Sequence, residues 1–217
     1  MLFTNVQLKR IANFHGHVCP NLVLGYRASQ LGLKTLNPEQ TSEETLSVIV
    51  ENNTSALDAI QCMTGCTSGN QHLRVRDLGK HKYIFVLNQS NRAVIVNLKE
   101  VEFSEETTYF ILERKIRDNK ATTEDIDYIQ YLLDTWVSWL LSLSDQELFH
   151  VEETTSIPPG IALSSRYVRC SNCHDLVEDS KTEKLQGDFV CYPCSGLLNR
   201  NSSVGRQQVL FRCREHL

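Results

Sequence analysis

The sequence lacks the features that mark membrane, secreted or nucleotide-binding proteins. No uninterrupted apolar run approaches the roughly 18 residues that cross a bilayer, so we expect no membrane span. The N-terminus has no basic segment followed by an apolar stretch and a cleavage site, which predicts a cytoplasmic protein. A glycine-rich phosphate loop, a Ser-His-Asp pattern and a convincing pair of catalytic carboxylates are also absent. These absences exclude several common enzyme classes.

A strong excess of charge of either sign is also lacking. The formal net charge is −4, made up of −6 in residues 1–165 and +2 in residues 166–217. A balance of +2 is too small to indicate a phosphate-binding face, so nucleic acid is not indicated as a partner. The 217 residues, 41% of them hydrophobic, are enough for one ordinary globular domain and a smaller one.

Cysteine, by contrast, is abundant and patterned. The chain has eight cysteines, and without a secretion signal their CxxC pairs indicate metal binding rather than disulfides. Cys170, Cys173, Cys191 and Cys194 form two such pairs with 17 residues between them. This spacing predicts a structural Zn²⁺ site of the zinc-ribbon or treble-clef type, in which four thiolates close the coordination sphere.

A second cluster lies in the segment Phe14-His15-Gly16-His17-Val18-Cys19-Pro20. Proline suits the first turn of a helix, so Cys19 is expected at a helix N-terminus, where the dipole favours the thiolate and lowers its pKa. We interpret His17 as a metal ligand and His15 as a proton-handling partner. The alternative is that Cys19 is a small buried residue before a helix.

The segment Asp58–Gly69 supplies the partners for this cluster. A helix is expected from about 55 to 65, with Cys66 in the Gly/Thr/Ser-rich loop that follows it. We predict a second metal site, for Zn²⁺ or another borderline-soft ion, centred on His17 and Cys66. Cys19 is its candidate nucleophile, and Asp58 orients a ligand. The alternative is a helix C-cap with an incidental cysteine.

Hydrophobic periodicity predicts an α+β fold with a small mixed or antiparallel sheet packed by helices. The expected strands are 45–51, 83–87 and 92–96, and two long helices span 104–119 and 122–140. We predict a domain at 1–150, a connector at 151–165 and a zinc-finger domain at 166–217. The wide apolar stripe of the second long helix, which includes Trp136, predicts a homodimer.

The motifs FHGHVCP at 14–20, LGYRAS at 24–29, DAIQ at 58–61 and TGCTSG at 64–69 resemble the FmdE family, which is named after a component of formylmethanofuran dehydrogenase. A four-cysteine module similar to that at 170–194 follows the domain in many members. The chain departs from the usual family pattern at Asn21, Ser55 and Asn70, where glycine, cysteine and lysine are common.

The resemblance implies a link to formylmethanofuran dehydrogenase, with a molybdenum or tungsten enzyme as protein partner. Two functions therefore stay open at this point. The chain is an enzyme or enzyme subunit of redox or one-carbon chemistry, or it is a non-catalytic zinc-binding adaptor, metal carrier or sensor that docks a protein. An open coordination position at the first site would favour the enzyme.

Overall fold

The structure, a computed structural model, describes residues 6–37, 45–156 and 166–196. The chain divides into two compact units, Met1–Gly160 and Ile161–Leu217. Among the described residues, no helix is both long and apolar enough to span a membrane. The domain boundaries stay a prediction, because residues 157–165 of the connector and 197–217 of the second domain lie outside the described residues.

The larger unit is an α+β domain built on one five-stranded sheet, which confirms the predicted fold class. The strands lie in the order β2-β1-β3-β4-β5, with β1 and β2 parallel and the other pairs antiparallel. Its elements in chain order are α1 (Val6–His15), α2 (Pro20–Leu36), β1 (Leu46–Val50), α3 (Ala56–Thr64), β2 (Leu73–Val75), β3 (Lys82–Leu87), β4 (Arg92–Leu98), α4 (Glu106–Arg117), α5 (Thr123–Ser142), α6 (Asp145–Leu148) and β5 (Phe149–Thr154).

The main core lies between one face of the sheet and the helices α2, α3 and α5. Tyr83, Phe85 and Leu87 alternate along β3 and belong to the same buried cluster as Val23 of α2 and Ile60 of α3. The intervening β3 residues are also buried, so β3 is apolar along nearly its whole length. The sheet therefore holds α2 and α3 on one side; Cys19 immediately precedes α2, and Asp58 lies in the first turn of α3.

Two strands differ from the sequence prediction. Leu73–Val75, which lies outside the three expected strands, forms β2 and pairs in parallel with β1. Residues 151–154, assigned to the connector, belong to β5, which pairs with β4. Phe149 is buried and Val151 half-buried in β5, whereas Glu152 and Glu153 are exposed, as expected of an edge strand. This segment carries no strand signal in the sequence, because it is largely polar and lacks a regular alternation of buried and exposed residues.

Arg27, in the motif LGYRAS, fastens α2 to the end of α5. The side chain is buried, and its guanidinium donates to the backbone oxygens of Leu140 and Leu143 at 2.9 and 2.8 Å. It also donates to Asp145 Oδ1 at 2.7 Å. These carbonyls belong to the last turn of a helix, where backbone acceptors have no partner within the helix. Arg27 thus supplies hydrogen-bond donors to the backbone carbonyls at the C-terminus of α5.

Replacing Arg27 by methionine should lower the free energy of unfolding by about 2 kcal/mol. The variant keeps most of the apolar stem but leaves the Leu140 and Leu143 carbonyls without their charged donor. Urea denaturation of the full chain measures the change. Lys34→Met, an exposed substitution on the same helix, should stay within about 0.5 kcal/mol of the parent. Equal stability of the two variants would contradict this assignment.

A tyrosine–histidine pair lies at the start of β3, with Tyr83 fully buried and His81 half-buried. His81 Nδ1 lies 2.9 Å from the Tyr83 hydroxyl. Burial lowers the pKa of His81. Burial also raises the pKa of Tyr83, and the hydrogen bond between Tyr83 and Asn52 only partly offsets this rise. At neutral pH, the neutral imidazole of His81 therefore accepts a hydrogen bond from the Tyr83 hydroxyl, which keeps its proton.

This pair should make the protein less stable as the pH falls below about 6.5, the ordinary pKa of histidine. The folded chain resists protonation of His81, whereas the unfolded chain does not, so the stability present above that pH is lost on acidification. His81→Asn should reduce the slope between pH 7 and pH 5, by at most about 1.4 kcal/mol per pH unit. Urea denaturation across this range measures it. His150→Asn, an exposed control, should retain the parent slope.

Within residues 166–196, the smaller unit contains two short hairpins. Strands β6 (Tyr167–Arg169) and β7 (Leu176–Glu178) form the first, and β8 (Thr182–Leu185) and β9 (Asp188–Cys191) form the second. A short helix, α7 (Tyr192–Ser195), follows. The small core of this unit consists of Cys170, Val190 and Cys191, with Val177 and Cys194 packed against them. The cysteines themselves thus make up most of this core.

Candidate metal centres

The four C-terminal cysteines converge on one point. The sulfur atoms of Cys170, Cys173, Cys191 and Cys194 all lie within 4.8 Å of one another. The sulfurs of Cys173 and Cys191 are 3.8 Å apart, the edge of a tetrahedron whose metal–sulfur distance is about 2.3 Å. Because the first pair lies in the β6–β7 turn and the second at the β9–α7 junction, two separate turns supply two thiols each. The residues present fit a tetrahedral metal ion.

Backbone N–H groups in this unit support a thiolate at Cys170. The N–H groups of Cys191 and Asn172 both donate to Cys170 Sγ at 3.4 Å. Such bonds, above all the one from Cys191, lower the pKa of Cys170 to about 6. A thiolate is the form that ligates a metal, so the backbone prepares this cysteine for the role.

The second centre lies between α1, α2 and α3. Ligand atoms of His15, His17 and Cys19 lie within 4.8 Å of one another. His15 ends α1, and Cys19 is the N-cap of α2, ahead of Pro20 in the first turn. Gly16 between them adopts a positive φ of 103°, which allows the sharp turn between the two helices. The turn brings three ligand side chains into five residues of sequence.

Asp58 fixes the orientation of the His15 ring. Its Oδ2 lies 2.7 Å from His15 Nδ1, and its Oδ1 accepts a hydrogen bond from Gln61 Nε2 at 3.4 Å. With Nδ1 donating to the carboxylate, the lone pair of Nε2 faces Cys19 Sγ at 3.9 Å. A tetrahedral metal would place an imidazole nitrogen and a sulfur about 3.5 Å apart, so these two residues also fit a metal ion.

The pKa values at this centre follow burial. Burial, together with the neighbouring His15, lowers the pKa of His17, so its ring is neutral and can act as a ligand at neutral pH. Burial also raises the pKa of Cys19, although hydrogen bonds from Ser55 and from the N–H groups of Leu22 and Asn21 oppose the shift. The prediction of a lowered Cys19 pKa was therefore wrong, because desolvation outweighs the helix N-terminus.

Cys66, predicted as a central ligand of this site, lies in the main core instead, outside the group of His15, His17 and Cys19. The side chain is only 2% exposed within the main core, and its thiol donates to the Leu46 carbonyl at 3.4 Å. Asp58 is in the first turn of α3, whereas Cys66 follows Gly65, the left-handed C-cap. A nine-residue helix is about 13 Å long, which separates the two ends of α3. The structure thus brings together His15, His17, Cys19 and Asp58, without Cys66.

Sequence reasoning missed two contributors. Gln61, in the DAIQ motif, supports Asp58 from one turn further along α3, and Ser55 hydrogen-bonds the Cys19 thiol. The spacing of Asp58 and Gln61 in a predicted helix could have suggested their pairing. Ser55 stands where the family commonly has cysteine, but nothing in the linear sequence places its side chain beside Cys19.

Comparisons with known proteins agree with this architecture. A model of the family described as "FmdE, Molybdenum formylmethanofuran dehydrogenase operon" matches residues 14–150. A protein of Archaeoglobus fulgidus, described as a probable S-adenosyl-L-methionine-binding protein, is 30% identical over 214 residues. That match covers 94% of this chain and 56% of the relative, so the chain spans little more than half of the relative's length.

A solved structure shows a similar fold. It is the crystal structure of a tungsten formylmethanofuran dehydrogenase FmdE-like protein from Syntrophus aciditrophicus. The two chains superpose with a TM-score of 0.54 and 20% identity, over 87% of this chain and 90% of the other. At this identity the likeness concerns the fold alone.

Proposed function

The chain belongs to the FmdE family, and we propose that it is a metal-dependent enzyme or enzyme subunit whose reacting centre lies in the N-terminal domain. The group of His15, His17 and Cys19 carries this proposal, because three ligand atoms lie within 4.8 Å of one another. Three protein ligands leave a fourth tetrahedral position for water or substrate, as in catalytic zinc sites. Mixed imidazole and thiolate ligands suit Zn²⁺ or another borderline-soft ion.

The protein residues around this centre have separable roles. A metal ion bound there would supply Lewis-acid chemistry and lower the pKa of a bound water. Asp58 accepts a hydrogen bond from His15 Nδ1, which leaves Nε2 of the neutral ring as a ligand or proton acceptor. His15 Nε2 also lies 3.9 Å from the Cys19 sulfur, where it can accept the thiol proton. Asp58 therefore orients, while His15 and Cys19 act on the metal or the substrate.

The C-terminal cysteines have a different role in this proposal. Four thiolates would fill the coordination sphere of Zn²⁺ and leave no position for substrate, so the ion is structural.

One-carbon redox chemistry is the reaction class that we propose. The family description refers to a dehydrogenase of a formyl-bearing substrate. The Archaeoglobus relative is described as binding S-adenosyl-L-methionine, whose reactive group is a methyl, which is also a one-carbon unit. Because that relative extends well beyond the match, its ligand supports only the class of chemistry and not a site in this chain.

Metal counting tests the proposal. Protein purified without chelator should hold two metal ions per chain by mass spectrometry, and His17→Ala/Cys19→Ala should hold one. The control Cys62→Ala/His150→Ala changes one cysteine and one histidine outside both groups and should hold two. A parent with a single metal would refute the N-terminal centre.

The open position needs its own test. Co²⁺ at the N-terminal centre gives a visible spectrum that depends on its ligands, so added azide should change this spectrum in the parent. A centre that binds Co²⁺ but ignores azide is closed, and the enzymatic proposal then fails.

An adaptor is the second candidate function, and one feature of the smaller unit favours it. Tyr167 and Leu176 are 61% and 65% exposed in the first hairpin. Tyr167 pairs with Glu178, and Leu176 pairs with Arg169. The two apolar side chains are therefore diagonal neighbours on one face of the hairpin. Exposed apolar side chains of this kind suit docking of a protein. A closed N-terminal centre in the azide experiment would favour this function.

We also propose a homodimer and, from the family link alone, a molybdenum or tungsten enzyme as partner. Exposed apolar side chains on α4 and α5, Phe110, Ile111 and Tyr131, offer a surface for association. Sedimentation of the full chain should give twice the chain mass at micromolar concentration. A mass of 24.8 kDa under these conditions would contradict the dimer.

A further inference from the structure

A line of hydrogen-bonded polar groups runs through the interior beside α3. It begins at His81, whose Nδ1 lies 2.9 Å from the Tyr83 hydroxyl, and continues through a bond between Tyr83 and Asn52. Tyr83 is fully buried and Asn52 is 2% exposed. Asn52 also donates to the Lys80 carbonyl at 2.9 Å, which ties the end of β1 to the residues before β3.

The line ends at the first turn of α3. The Thr54 hydroxyl donates to Asn52 Oδ1 at 2.8 Å and accepts the N–H of Ala56 at 3.3 Å. The Thr54 carbonyl accepts the N–H of Leu57 at 3.0 Å. Thr54 thus satisfies two of the N–H groups that a helix start leaves without partners. Asn52 and Tyr83 fix Thr54, and through it the place where α3 begins.

The start of α3 decides the position of Asp58. Asp58 lies in the first turn of α3, and its carboxylate meets His15 at 2.7 Å. A shift of this turn by an ångström would break a bond of that length. Because α1 carries His15 and α3 carries Asp58, the contact depends on how α3 is anchored to the sheet.

We infer that Asn52 and Tyr83 are positioning residues for the N-terminal centre, holding Asp58 against His15 through the first turn of α3. The role in metal binding rests on the proposed function, whereas the role in orienting His15 rests on the observed contacts. Buried polar groups in an apolar core are costly unless fully paired, and a paired network specifies one arrangement. No polar side-chain atom that is buried in the described part of the chain lacks a partner, so this network meets that condition.

Tyr83→Phe in the full chain tests the inference with two readouts. The first is the ¹⁵N chemical shifts of the His15 ring, which report the Nδ1–H tautomer and need no metal. In the parent the proton should reside on Nδ1, and in Tyr83→Phe this preference should weaken. The second is Co²⁺ affinity at the N-terminal centre, with the four-cysteine site already loaded. The affinity should fall by up to about tenfold, the lower loss usual when the group that orients a ligand, here Asp58, is disturbed.

Two further variants make the test decisive. Thr54→Val removes the last bond of the line with little change in shape, and should reproduce both effects if Tyr83→Phe folds poorly. Tyr109→Phe removes another buried tyrosine hydroxyl of the same domain, outside the line, and should leave both readouts unchanged. It therefore controls for a general loss of stability.

The outcomes separate this inference from the proposed function. Parent-like His15 shifts and Co²⁺ affinity in both Tyr83→Phe and Thr54→Val would overturn the positioning role. Altered His15 shifts in a protein whose parent binds no Co²⁺ at this centre would support the positioning role and refute the metal proposal.

Discussion

Cys170→Ser is expected to lose the metal ion of the C-terminal unit and, with it, the protected structure of residues 166–196. Cys170 is fully buried and receives two backbone N–H bonds, so its sulfur is the centre of the unit's small core. Metal binding contributes about 10–16 kcal/mol to folding in small zinc domains, far more than so few apolar side chains supply. Mass spectrometry of the metal content and amide hydrogen exchange in β6–β9 measure the two losses.

Cys62→Ser is the matched control for this result. Cys62 is a half-buried cysteine outside both candidate centres, and its replacement should change neither the metal content nor the exchange of the C-terminal strands. If Cys170→Ser keeps both its metal and its protected amides, the four cysteines do not hold the unit together.

Gly25→Ala should lower the free energy of unfolding by about 3 kcal/mol, the upper part of the usual range for an overpacked core. A Cβ at Gly25 would lie 2.6 Å from the Ala56 Cα and closer still to the Ala56 carbonyl oxygen. Both obstacles are backbone atoms, so no side-chain rotation relieves the overlap. The helices α2 and α3 would have to separate, and urea denaturation measures the cost.

The same substitution should weaken the N-terminal centre, because α2 begins just after Cys19 and α3 carries Asp58. Gly69→Ala is the control, since its Cβ would meet only the Thr67 hydroxyl at 3.7 Å, an ordinary contact. We expect this control to remain within about 0.5 kcal/mol of the parent. A similar stability for both variants would show that the contact between α2 and α3 can accommodate a Cβ at Gly25.

Local signals in the sequence predicted most of the helices and the central hairpin. Thr122 and Ser144 form capping boxes at the starts of α5 and α6, and Pro20 opens α2, each of which follows from a few adjacent residues. The 83–87 and 92–96 runs form the expected strands, and they pair as a hairpin because β-rich segments joined by a short polar turn do so. These features depend on neighbours in the chain.

The errors concern contacts between distant segments. β2 is three residues long, too short for a period-two pattern, and only its parallel pairing with β1 makes it a strand. Cys66 was misplaced for a similar reason. Helical periodicity shows which residues share one face of α3, but it does not show which end of α3 meets α1. The pairing of Asp58 with His15 and the close approach at Gly25 also depend on tertiary packing.

The buried thiol of Cys66 can report transient opening of the main core. Its sulfur is shut inside the main core, whereas Cys62, four residues earlier, is only half-buried. An alkylating reagent therefore meets Cys62 in the native protein but reaches Cys66 only when the core transiently exposes it. The ratio of the two alkylation rates at neutral pH measures how often the sheet and α3 part, without denaturant.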